Sequence, residues 1–271
     1  MKRLYDNNGN FFAELNHSEE YFLDYSKHSH DSFSISVFGI GEVEVEFHTK
    51  EEELVSCNEI IIFNPNQVHQ TKSEIKKTKN YFTLHVDTNW CKDIQTRLFG
   101  FSERFIYTQN IIDDKLLTKK LFDVFQTLIL EDKSNSKVLE EIIVIILQKY
   151  TILDKVQRES EEHMLCKKVE EYILNNIKEQ ITIEDISKAV SYNESYLTRV
   201  FKKEYGLSPY AFLINKRVQK AKDKLLDDRR IKLSELSNEV GFYDQSHFSK
   251  VFKRTFATSP DKYRPSKKKS Q

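Results

Sequence analysis

Residues 196–209, YLTRVFKKEYGLSP, return at 247–260 as HFSKVFKRTFATSP with a uniform offset of 51, and ISKAVS at 186–191 returns as LSNEVG at 236–241 with an offset of 50. A chain that repeats itself over so short a distance must build one supersecondary unit twice. The difference between the offsets puts one inserted residue in the turn of the second copy. In the first copy Thr182 reads as an N-cap with Asp185 three residues on, an acidic capping box opening the short helix IEDISKAV. A turn at Ser191 and Tyr192 leads to Asn193, a second cap, and to a helix with Leu197, Val200 and Phe201 on its inner face. Its other face carries Ser195, Thr198 and Arg199, with Lys202 and Lys203 beyond. The second copy has LSELSNEV, a turn at Gly241–Tyr243 and a helix from about Asp244, with Phe248, Val251 and Phe252 inward. Gln245, Ser246, His247, Ser249 and Lys250 then point outward. Gly241 suits a turn with positive φ, which Ser191 adopts with some strain.

A short helix braced against a second, whose exposed N-terminal residues are polar, is the helix-turn-helix; the second helix enters the major groove and flanking cations hold phosphate. Polar and Arg side chains belong there because base edges offer donors and acceptors. Ser208–Pro209 and Ser259–Pro260 each read as an N-cap followed by proline at the first helical position. The first opens a long helix, YAFLINKRVQKAKDKLL, that joins the two units rigidly. Rigid joining suits successive major grooves on one face of DNA, about 34 Å apart. Charge is divided to match: residues 163–271 hold 23 Lys and Arg against 14 Asp and Glu, leaving 19 against 28 in residues 1–162. A basic half gains affinity for a polyanion by releasing its counterions, and the tail KYRPSKKKS adds to this. A plain helical bundle with solvated polar faces would share the amphipathicity, but the duplication and the cation surplus favour a DNA reader.

The first half reads differently. From about Ser32 to His85, FSISVFGI, EVEVEF, EIIIF and YFTLHV are short β-branched and aromatic runs cut by turn residues, as in an all-β barrel or sandwich. Gly39 and Gly41 interrupt the first two runs and NPNQ makes a turn after the third. From Asp113 to Lys155 the period becomes helical: Leu117, Leu121, Val124, Phe125 and Leu128 form one stripe, and Val138 to Leu153 another. The polar run DKVQRESEEH reads as a linker. This gives a multi-domain chain: a sensor domain at 1–155, a linker at 156–165 and an all-α reader at 166–271. Cys57, Cys91 and Cys166, odd in number and widely spaced, read as plain thiols. No apolar run is long enough to span a membrane and the N-terminus lacks a signal-like segment, so a cytoplasmic location is expected.

VGFYDQSHFSKVFKRTFATSPDKYR resembles the signature of the AraC/XylS family of bacterial regulators through its whole length, and YLTRVFKKEYGLSPYAFLINKRVQKAKDKLL resembles the half before it. The resemblance covers roughly 165–265 and implies base reading by the outward positions of both recognition helices. The chain departs from the pattern at Ala257 and Ser191, where glycine is usual, and at Ser187 and Ser237, where alanine packs. HSHDSFSISVFGIGEVEVEF followed by EIIIFNPNQVHQ is similar to the family's cupin-type sensor. That likeness implies an N-terminal all-β cupin-like barrel with a helical appendage for dimerisation, and a small effector held near His28, His30 and His69. Those histidines stand where metal-binding cupins place theirs, but Ser34 and Ile35 occupy the region of the expected Glu, so the metal set is incomplete and no cofactor is expected.

The expected function is sequence-specific regulation of transcription, as an activator answering to a small molecule. The expected partners are double-stranded promoter DNA, the effector, a second copy of the chain and RNA polymerase, with no membrane. The alternatives are an effector-independent regulator or repressor, and a cupin enzyme fused to a DNA reader.

Overall fold

The computed structural model describes residues 2–6, 8–20, 27–48, 52–72, 78–100, 106–130, 136–153, 160–228, 230–256 and 258–264. The chain divides into two compact units, Met1–Leu23 with Ser29–Lys155, and Asp24–His28 with Val156–Gln271.

The first unit contains two antiparallel sheets. One orders β1 (Lys2–Tyr5), β2 (Phe11–Glu20), β8 (Lys79–Val86), β3 (Phe33–Ile40), β6 (Ile60–Phe63) and β9 (Ile111–Ile112) side by side; the other orders β5 (Glu53–Ser56), β4 (Glu42–Phe47) and β7 (His69–Lys72). The sheets meet where Phe63 touches Phe47 at 5.9 Å and stacks on His69 at 4.1 Å between ring centroids. The expected barrel is thus two facing sheets joined by no ladder among the described residues. Alternation along the pleat divides the larger sheet into two chemically distinct faces. Ala13, Leu15, Phe33, Ile35, Val37, Ile60, Ile62, Phe82, Leu84 and Val86 form one core with helices α2 (Lys115–Leu130) and α3 (Lys137–Tyr150). These helices bury the two stripes expected from their period, Leu121, Phe125 and Leu128 on one and Leu139, Ile142, Ile143, Ile146 and Leu147 on the other.

Strands β1, β2, β5, β7 and β9 exceed the sequence expectation, as does a helix α1 (Thr88–Phe99) capped by Asp87, which accepts from the Trp90 N–H at 2.9 Å. Gly39 does not interrupt its strand; β3 runs through it, and a side chain there would meet the Phe122 ring of α2 at 3.0 Å. Gly41, with φ of 103°, does make the turn. Burial pushes the Cys91 thiol well up and that of Cys166 to about 12, which leaves both as unreactive packing groups.

The second unit is α4 (Glu161–Asn175), α5 (Ile183–Val190), α6 (Glu194–Tyr205), α7 (Pro209–Asp227), α8 (Leu233–Glu239), α9 (Gln245–Phe256) and α10 (Pro260–Tyr263). Ser160 caps α4, so positions 161–165, expected as linker, are helical; 154–159 lie outside the described residues, as do Ala257 and the tail from 265. Phe201, fully buried, packs on Tyr205 and Phe212 of the first repeat, and its counterpart Phe252 packs on Phe248, Phe256 and Tyr263 of the second. The Tyr205 hydroxyl donates to Glu170 at 2.6 Å; burial first, and this carboxylate second, hold it protonated far above the ordinary phenol range.

Candidate nucleic-acid interface and effector face

Each repeat places its second helix by the same local devices. Thr182 and Asp185 exchange the two bonds of a capping box at α5, and the Thr182 N–H and then its hydroxyl, both donating to the Asp185 carboxylate, pull that carboxyl below its usual range. Asn193 caps α6 by accepting from the Ser195 N–H at 2.9 Å, and Asp244 caps α9 by accepting from His247 at 2.7 Å. Ser208 caps α7, whereas Ser259 makes no such bond at α10. Ser191 takes the left-handed conformation, φ 59°, and the substitution at Ser187 compensates: its hydroxyl donates to the Tyr192 carbonyl and ties the strained turn down. Ser237 likewise satisfies its own hydroxyl on Ser234 at 2.9 Å.

On these helices Ser195, Arg199 and Lys202 of the first repeat and Gln245, Ser246, His247 and Lys250 of the second are exposed, as expected. Thr198 and Ser249, equivalent positions at the same offset, are half-buried, because each borders the inward stripe of its helix. Lys203 is held by Glu162 at 3.0 Å; Arg199, Lys202 and Lys250 have no ion-pair partner among the described residues. Arg199 lies over the Tyr196 ring at 5.4 Å, and Tyr196 stacks on Tyr192 at 5.9 Å, an aromatic ladder that keeps the guanidinium extended at little entropic cost. Sequence reasoning passed over Tyr192 and Tyr243, each the residue before a cap. Tyr243 is 87% exposed, an unusual position for a large ring and a signal that only burial supplies.

In the first unit, the face of the larger sheet turned away from α2 and α3 is polar and in register. One row runs Glu14, His85, Ser34, Phe63 across four strands, and the next runs Asn16, Thr83, Ser36, Ile61. Ser34 and Ser36 are completely buried. The Ser34 hydroxyl lies 2.7 Å from His85 Nδ1, and those of Ser36 and Thr83 lie 3.0 Å apart. From the smaller sheet His69 joins this face, its Nδ1 donating to the Gln67 carbonyl at 2.9 Å, so that Nε2 carries the lone pair in the neutral ring. His30 completes the group, 4.9 Å from His69 and 5.2 Å from His85 between ring centroids.

The structure therefore brings together two of the three expected histidines and adds His85. His28 falls in the segment Asp24–His28, which belongs to the other unit. Ser34, in the region where a metal-binding cupin would carry its Glu, puts a hydroxyl on the His85 ring instead. No group of three His, Cys, Asp or Glu residues among the described ones is arranged to hold a metal ion. No helix among them is long and apolar enough to cross a membrane.

Comparison with known proteins agrees with both halves. An AraC-like ligand-binding domain profile matches residues 12–145, and a helix-turn-helix domain profile matches 186–266. The regulator YbfI of Bacillus subtilis is 25% identical over 231 residues, 82% of this chain and 81% of its own length. The regulator YdiP of Escherichia coli is 37% identical over 101 residues, but this match spans only 33% of that protein. Among solved structures, ToxT of Vibrio cholerae O395 superposes over 93% of this chain and 96% of its own with a TM-score of 0.60 at 13% identity, a likeness of fold. With a ligand-binding half, a duplicated helix-turn-helix half and relatives that are regulators, the chain belongs to the AraC family of DNA-binding transcription regulators.

Proposed function

We propose that the chain is an activator gated by a small, hydroxyl-bearing effector that binds the polar face of the first unit, and that it reads promoter DNA through α6 and α9. The observation that carries the gating is the in-register arrangement of buried Ser34 and Ser36 with half-buried His85 and Thr83, joined by buried His30 and His69. Hydroxyls and imidazoles set in register opposite a well-packed apolar core are the few placed polar groups that orient a small guest, whereas packing against the helices needs only the apolar face. ToxT has been solved with an unsaturated fatty acid bound; the hydroxyls and imidazoles of this chain suit a more polar guest. The effector must prefer one arrangement of the regulator over another, since equal affinity would shift nothing.

The sensor is assigned to 1–155, the reader to the segment from Ser160, and base contact to Ser195, Thr198, Arg199, Lys202, Gln245, Ser246, His247, Ser249 and Lys250, with Tyr192 and Tyr243 added. A cytoplasmic homodimer that meets RNA polymerase and has no enzymatic role completes the reading. Val138 and Ile145, two helical turns apart on α3 and 37% and 42% exposed, are offered to the second copy. A sedimentation mass of one chain would remove the dimer.

The deciding experiment pairs mobility shift with thermal shift, using the full chain, its own upstream DNA, random DNA and a set of small polyhydroxylated metabolites. Selective retardation of the upstream fragment, changed by the same compound that raises Tm, is the expected result; no preference for any DNA at any salt would overturn the reading. Within it, Arg199→Ala or Lys250→Ala weakens specific binding by about 1–3 kcal/mol and leaves random DNA nearly unaffected. An equal loss on both DNAs would assign the residue to phosphate.

A further inference from the structure

We infer that Arg217, buried between the two repeats, sets the spacing of DNA half-sites that this chain accepts. Arg217 lies in α7 and is 3% exposed. Its Nε donates to the Ile177 carbonyl at 2.8 Å and its terminal nitrogen to the Glu179 carbonyl at 2.6 Å, both just past the end of α4. No carboxylate pairs with it among the described residues. A buried cation without a counter-ion is a poor way to gain stability, since an apolar side chain of the same volume would fill the site without desolvating a charge. What this guanidinium supplies is position.

The second repeat closes on the same point. A Cβ on Gly241, the turn glycine of the second repeat, would lie 2.7 Å from the Ile177 oxygen and 2.8 Å from Arg217 Nε, and Gln180 donates to the Gly241 carbonyl at 2.9 Å. The lead into α5, the middle of α7 and the turn before α9 thus form one knot. Gln180 stands two residues before the cap of α5, and Gly241 three before the cap of α9. α7 packs Phe212 against the first repeat and Val218, Ala221 and Leu225 into the core of the second, contacts that apolar side chains can make at more than one angle; the knot adds directional bonds that fix how far apart, and at what angle, α6 and α9 are presented.

The test uses the full chain and a duplex selected by it from a random pool, with the two half-sites read from the selection. Three probes are compared: that duplex, versions with one base pair added or removed between the half-sites, which displaces one by about 3.4 Å and rotates it, and a single half-site. The wild-type chain is expected to lose about tenfold in affinity on the altered spacings. Arg217→Ala and the milder Gln180→Ala should narrow that loss to about threefold or less while single-half-site binding stays within about twofold. Should Arg217→Ala fail to fold by circular dichroism, Gln180→Ala carries the test alone. Undiminished spacing discrimination in a folded variant, or an equal loss on all three probes, would overturn the inference.

Discussion

Gly241→Ala is expected to destabilise the helical half of this chain by about 3 kcal/mol, whereas Ser191→Gly, at the matching turn of the first repeat, should stabilise it by about 1 kcal/mol. Gly241 has a φ of 93°, and an added methyl would also strike the Ile177 carbonyl and the Arg217 guanidinium. Neither neighbour can yield, the first being backbone and the second buried and bonded to it. Ser191 suffers only the conformational strain, so glycine relieves it, less whatever entropy the unfolded glycine gains. The chain supplies its own reporters: its single tryptophan, Trp90, lies on α1 of the first unit, while circular dichroism at helical wavelengths weights the second. The dichroism transition should move in opposite directions for the two variants and the Trp90 transition should stay in place. A neutral Gly241→Ala would mean that the close approach does not exist in solution.

Phe82→Ala should cost about 3–5 kcal/mol in the first unit, among the largest single losses the sheet can suffer. Phe82 is buried against Phe122 at 5.3 Å and Phe125 at 5.9 Å and stacks on His17 at 4.4 Å, so truncation opens a cavity where β8 meets α2. Its chain neighbour Thr83 points the other way, onto the polar face. Thr83→Val removes one hydroxyl bond to Ser36 and should cost about 1 kcal/mol of stability, while abolishing the Tm shift produced by the effector. Urea unfolding followed through Trp90, with and without effector, measures both. A Thr83→Val chain that still responds fully would move the effector off this face.

The duplicated reader was legible because helical period, capping residues and repetition all pointed one way, and spacing placed the outward positions apart from Thr198 and Ser249, which border the buried stripe. β2 was not legible. FFAELNHSEE turns Ala13 and Leu15 to the core, but the other side carries Glu14, Asn16 and Ser18 and the apolar alternation stops at His17, too short a run to announce a strand. The same inversion hid His85: with helices covering one face of the sheet, the polar face looked like the solvent side when it is turned inward. α1 buries only Cys91, Ile94 and Gln95, too thin a stripe to announce a helix. Arg217 was the most deeply hidden. NKRVQK lies inside the joining helix and nothing in its spacing marks Arg217 as buried; the approach of two distant turns gives it a reason to be.

The pleat of the larger sheet separates two vocabularies along the same strands. With the effector on the face proposed above, substitutions at Ser34, Ser36 or Thr83 alter what the sensor can hold, while Ile35, Val37 and Leu84, their immediate neighbours, continue to secure the helices. On that reading, a lineage carrying this sheet can exchange one effector for another by a few single-codon changes without passing through an unfolded ancestor, which leaves recognition far freer to drift than architecture.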